Sequence, residues 1–181
     1  MKTTFVFPKW LSVSSAVALG VLTGATVSAQ SQASKLRVGV YDSRAIAIAY
    51  GNSAEFRESL KPIQAEHAKA KKEKNDKRMK EIDARMKLQQ RRAHEQGFST
   101  GSVAGILAKE KDSLPGVAKK AGVEVIVSKW ELNHQSPDVD VVDLTDELVA
   151  LFHPSEKVLG WVKDLKSHPP LPIEEITDDM D

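Results

Sequence analysis

Apolar residues recur with a period of two in short stretches of this chain and with helical spacing elsewhere. Leu36, Val38 and Val40 alternate with polar or small neighbours, which predicts a strand over 35–41 with one buried face. Val123, Val125 and Val127 repeat the pattern over 123–129, and 139–144 predicts a third strand. Ser43 is placed to cap a short helix over 44–50, which Gly51 ends. Ser102 is placed to cap a helix over 103–112, and Leu114-Pro115-Gly116 breaks it. Pro115 then sits in the first turn of a helix that runs to Ala121 and stops at Gly122. Thr145 caps a helix carrying Leu148, Val149, Leu151 and Phe152, which Pro154 ends. Ser155 caps another, with Val158, Leu159, Val162 and Leu165 at helical spacing. Residues 167–173 read as extended, polyproline-like chain, and the acidic residues 174–181 as a mobile tail.

Residues 54–97 stand apart. They are rich in Ala, Lys, Glu, Gln, Arg and Met, with one proline, Pro62, and no glycine before Gly97. All are good helix formers. Apolar positions are sparse, and nothing larger than Ala occurs between Ile63 and Met79. A helix this polar cannot be buried all round; it projects into solvent or packs along a thin seam. Drawn as one rod it would span about 66 Å, and Pro62 and Asn75-Asp76 are the places where it would bend. The fold class expected is α+β: a small β body with a protruding α-helical arm and C-terminal helices. Three strands make a poor sheet with exposed edges, so other copies of the chain are expected to close it.

The first 29 residues change the picture of where the chain works. Lys2 and Lys9 precede an uncharged run from Trp10 to Val27, and Val27-Ser28-Ala29 supplies small residues before a cleavage point at Gln30. This is the pattern of a cleavable secretory signal; an uncleaved anchor is the alternative reading of the same run. The division expected is a signal peptide (1–29), a discontinuous body (30–53 and 114–166), an arm (54–113) and a Pro-rich acidic tail (167–181). Export from a diderm bacterium would place the mature chain in the periplasm.

Composition excludes several chemistries. There is no cysteine, which removes disulfides, thiolate metal sites and a cysteine nucleophile. The formal net charge of +1 hides an asymmetry: 54–97 carries 13 basic against 8 acidic residues, and 123–181 carries 4 against 14. No two of the five histidines are three or four residues apart, so no metal or acid–base pair is expected and no cofactor is called for. Ser99 and Ser102 flank Gly101, but this loop follows a helix, whereas a nucleophile elbow follows a strand. No catalytic residue is therefore assigned, and no enzyme activity is expected.

Two sets of arm residues are candidates for binding. Lys69, Lys71, Lys72, Lys74, Lys77 and Arg78 form a basic cluster. It reads either as a solvated face paired to Glu66, Glu73 and Asp76, or as a surface that steers anionic lipid, lipopolysaccharide or acidic protein segments. Met79, Ile82, Met86 and Leu88 read either as a coiled-coil seam or as an adaptable surface for clients. Nucleic acid is not an expected partner of an exported chain.

Three motifs carry a family resemblance. They are Leu36-Arg37-Val38-Gly39-Val40-Tyr41-Asp42-Ser43 after a signal peptide, the run 117–127, and Val141-Val142-Asp143-Leu144-Thr145-Asp146-Glu147-Leu148. Together with the Lys-rich arm between them, they resemble the OmpH/Skp family of periplasmic chaperones. The resemblance implies a homotrimer whose pooled strands form a small barrel, with helical hairpins that cage unfolded outer-membrane proteins. The chain departs from that pattern in a short 103–113 return helix, a balanced net charge and an extension over 152–181. The function expected is an exported, ATP-independent holdase for unfolded outer-membrane or envelope proteins. The alternative is an envelope adaptor whose arm docks one folded partner.

Overall fold

The computed structural model describes residues 35–177. The signal segment 1–29 and the end of the tail, 178–181, lie outside the described residues. The chain is α+β. Its elements are β1 (Leu36–Tyr41), α1 (Ser43–Gly51), α2 (Ala54–Lys72), α3 (Asp76–Phe98), α4 (Ala104–Leu107), α5 (Leu114–Ala121), β2 (Val125–Ser128), β3 (Val139–Asp143), α6 (Thr145–Ala150) and α7 (Glu156–Leu165). Single 3-10 turns follow at Ala108–Glu110 and Ile173–Glu175.

The strands form one parallel sheet in the order β2-β1-β3. Gly39 is in register with Ile126 on one side and Val142 on the other. Tyr41, Ile126, Val142 and Leu144 join a core built on Ala45, Ile46 and Ala49 of α1 and on Leu148 and Val149 of α6. Strand side chains alternate between faces. Leu36, Val38, Val40, Val125, Val127 and Val141 therefore occupy the opposite face, and none of them belongs to that core. Leu36 and Val125 are 48% and 45% exposed. This corrects the expectation that Leu36 and Val38 mark the core side, whereas Val40, on the same face, is buried at 8% exposure. Alternation reports a period but not which face the helices cover, and here they cover the face that carries Gly39.

Helix boundaries follow local chemistry. Asp42, not Ser43, caps α1, its carboxylate accepting from the Arg44 amide at 3.0 Å. Gly122 ends α5 at φ 65°, a left-handed conformation that glycine adopts without steric cost. Ser155 caps α7 as its spacing predicts, accepting from the Val158 amide. Gly160 lies inside α7, and a Cβ built there meets nothing within 4 Å. Gly160→Ala should therefore stabilise the protein by about 1 kcal/mol. A thermal melt followed by circular dichroism should show Tm higher by about 2–4 °C.

The polar run is two helices, not one rod. At the end of α2 the Asn75 amide donates to the Ala70 carbonyl (2.9 Å) and the Lys74 amide to that of Lys71 (3.2 Å). Lys74 takes φ 51° to allow this, which completes a Schellman motif. The Asn75 side chain then caps α3 by accepting from the Arg78 amide at 3.0 Å. The two helices, 19 and 23 residues, are about 28 Å and 34 Å long, against the 66 Å of a single rod. Pro62 lies inside α2 without ending it. Arg78 and Arg85 of α3 both pair with Glu66 of α2, and Asp83 lies 3.5 Å from His67. The outgoing helix is thus answered by α3, not by 103–113, which contains only the four-residue α4 and a 3-10 turn.

The C-terminal segment docks. The Leu171 amide donates to the Phe98 carbonyl (2.9 Å), the Ser99 hydroxyl donates to the Leu171 carbonyl (2.6 Å), and Ile176 is 3% exposed. Residues 174–177 are therefore anchored and not a loose tail, because Ile176 is a buried apolar anchor within the acidic stretch.

Candidate functional site

Two places concentrate polar chemistry or open apolar surface. The first is at the C-terminal ends of the strands, where open parallel sheets commonly hold their ligands. Here that position is filled by the protein itself. Asp42 and Arg44 are each 2% exposed and form a bidentate pair at 3.1 and 2.8 Å. Lys129 approaches the same carboxylate at 2.8 Å, and the Trp130 indole N–H donates to it at 3.3 Å. The remaining guanidinium donors reach the His168 and Leu165 carbonyls at the end of α7. Burial alone would raise the Asp42 pKa, but hydrogen bonds and charge from Arg44 and Lys129 outweigh it, and the carboxyl is held below its ordinary range. This cluster ties three segments of the chain together. Every charged group in it has an internal partner.

The second place is a groove at the base of the α2–α3 hairpin. One lobe, about 520 Å³, is walled by α1, α2, α3 and α4, with Ile48, Tyr50, Phe56, Phe98 and Ile106 among its apolar lining. A second lobe of about 290 Å³ runs between α2 and α3 over Leu60, Ile63 and Met86. Phe56, Gln89 and Ala93 line both, so the lobes are continuous. Polar groups at the margin of the first lobe include Arg92, His94, Gln96 and Lys109. No carboxylate lines either lobe. Lys109 donates to Glu55 at 2.8 Å, and this bond raises its pKa.

The four candidate client-binding residues part company. Met86 lines the groove and is 42% exposed, whereas Leu88 is 63% exposed and outside the groove lining. Met79 is half-buried and Ile82 is fully buried. The steering residues Lys69, Lys71, Lys72, Lys74, Lys77 and Arg78 are all exposed and gather around the turn that joins α2 to α3. Arg78 is committed to Glu66 and Glu81. Ser99 is 1% exposed and its hydroxyl is used by Leu171. Among the described residues no group of three or more His, Asp or Glu side chains could hold a metal ion. Nor is any described helix long and apolar enough to cross a membrane.

The groove as a unit is not apparent from residue spacing alone. Its signal was present: Phe56, Leu60 and Ile63 are spaced by four and three, and Met86 and Ala93 by seven. These are two helical stripes that face each other once the turn at Lys74 is made. No protein-family model, curated protein or solved structure matches the chain.

Proposed function

We propose that this protein is an exported, ATP-independent holdase of the OmpH/Skp type that binds unfolded outer-membrane or envelope proteins in the periplasm. One observation carries the reading: the paired helices leave an open apolar groove with amide and cationic margins and no carboxylate. Such a surface holds apolar segments weakly and releases them without nucleotide hydrolysis, and no catalytic residue or cofactor is assigned. The aliphatic sheet face supports a homotrimeric hub, since Leu36, Val38 and Val125 lie outside the chain's own core. Pooled copies would raise the local concentration of grooves. The lysines at the hairpin turn would steer acidic clients or anionic lipid and lipopolysaccharide surfaces.

The test is light scattering of a denatured outer-membrane barrel diluted into buffer with an equal amount of the mature chain. Slower aggregation without ATP is expected, from a species with the mass of a trimer. An unchanged aggregation rate would overturn the holdase reading. A second reading, an envelope adaptor for one folded partner, is favoured by the confinement of the groove to the hairpin base. Pull-down of a single stoichiometric partner would select it over a spread of clients.

A further inference from the structure

The groove is asymmetric in charge. We propose that it selects apolar segments flanked by a carboxylate and discriminates against those flanked by lysine; this rests on the holdase reading and names the class of segment that its site takes. The two continuous lobes, about 520 and 290 Å³, offer apolar surface from Ile106 and Tyr50 through Phe56 to Ile63 and Met86. At the α1 and α4 end, Arg92 and Lys109 stand on the margin of that surface. Lys109 already has Glu55 at 2.8 Å, so its charge is largely answered. Arg92 has no ion pair among the described residues. It is exposed, next to Ala93 on the groove wall, within reach of a bound segment's flanking residue. No carboxylate lines either lobe, and the nearby Glu55 is already engaged by Lys109, so an incoming lysine finds no free counter-charge there. An incoming Asp or Glu instead meets the Arg92 guanidinium, which has no ion pair among the described residues and whose planar donors fit a carboxylate. The apolar floor supplies the attraction common to all segments, and Arg92 supplies the difference between them.

The experiment uses two labelled nine-residue peptides with the same Leu-Phe-Ala core, one flanked by Asp and one by Lys, titrated with the full mature chain and read by fluorescence anisotropy. Binding of the Asp-flanked peptide about three- to fivefold tighter is expected, the size of an exposed ion pair. The gap should narrow in 1 M salt, where screening is over ~3 Å. Arg92→Glu should reverse the order. Gly105→Phe should weaken both peptides, because Gly105 lines the groove and a Cβ there meets nothing within 4 Å. Gly97→Phe, equally unobstructed on the opposite wall, serves the same purpose should Gly105→Phe fail to fold. Equal affinities, or a preference for lysine, would overturn the selectivity while leaving the holdase reading standing if aggregation is still slowed. Slowed aggregation that Gly105→Phe and Gly97→Phe leave intact would remove the groove as the site. Loss of both peptide binding and aggregation suppression in the native chain would sink the holdase reading itself.

Discussion

Asp42→Ala should cost about 3–5 kcal/mol, because it leaves the Arg44 guanidinium buried without its counter-charge. The pair lies at 3% side-chain exposure for both partners, so water cannot replace the lost carboxylate. The substitution also removes the cap of α1 and the acceptor of the Trp130 indole. Lys129, 34% exposed, can turn outward and loses less. Urea denaturation should show the loss as a lower midpoint with an unchanged slope. Replacing both partners, as in Asp42→Leu with Arg44→Met, should cost much less than Asp42→Ala alone, since no charge is then left unpaired. A double variant as unstable as the single one would show that the clamp matters for its shape and not for its charges.

The same pair sets a pH dependence. The folded-state pKa of Asp42 is lowered, with burial opposed and outweighed by Arg44 and Lys129. Its stabilising contribution is therefore complete above the ordinary aspartate value of about 3.9. It is lost as the pH falls from there through the lowered folded value. Below about pH 4 the stability of the native chain should fall more steeply than that of Asp42→Ala.

How much of this was legible in the sequence depends on the distance over which each feature is encoded. The strands, the Ser155 cap and the Gly122 stop are local, and spacing alone placed them. The hairpin turn carries no glycine: Lys74 adopts a left-handed conformation that costs a side-chain-bearing residue roughly 1 kcal/mol. The pairing of Glu66 with Arg78 and Arg85, and the packing of α2 on α3, hold it there. A turn fixed by its flanking helices leaves little mark on its own residues, although Asn75 was visible as a bend. The Asp42 clamp was signalled only by a charge pair inside an otherwise uncharged, mostly apolar run from Val38 to Tyr50. Its partners stand 88 and 124 residues away in the chain. The groove sits between these cases, because each stripe is local but their juxtaposition depends on the turn.

Gly39→Val should also be strongly damaging, at about 3 kcal/mol. Gly39 is the centre of the central strand, with β2 and β3 bonded on either side, so it cannot shift without moving the whole sheet. A Cβ there would collide with the Leu144 side chain and come within 3.2 Å of Val123 Cγ2. Both neighbours are buried, Leu144 at 1% exposure and Val123 at 7%. The missing side chain is what lets Leu144 lie against the sheet, and so it decides which face the helices cover. Leu144→Ala removes the obstructing atoms and should itself cost about 2–5 kcal/mol through the cavity it leaves. Combined, the two changes trade one side-chain volume for another across the same contact. The double variant should therefore be less destabilised than the two single losses added together, by 1 kcal/mol or more. Strict additivity in urea melts would mean that Leu144 does not occupy the space above Gly39, and that the helices are seated on the sheet by other contacts.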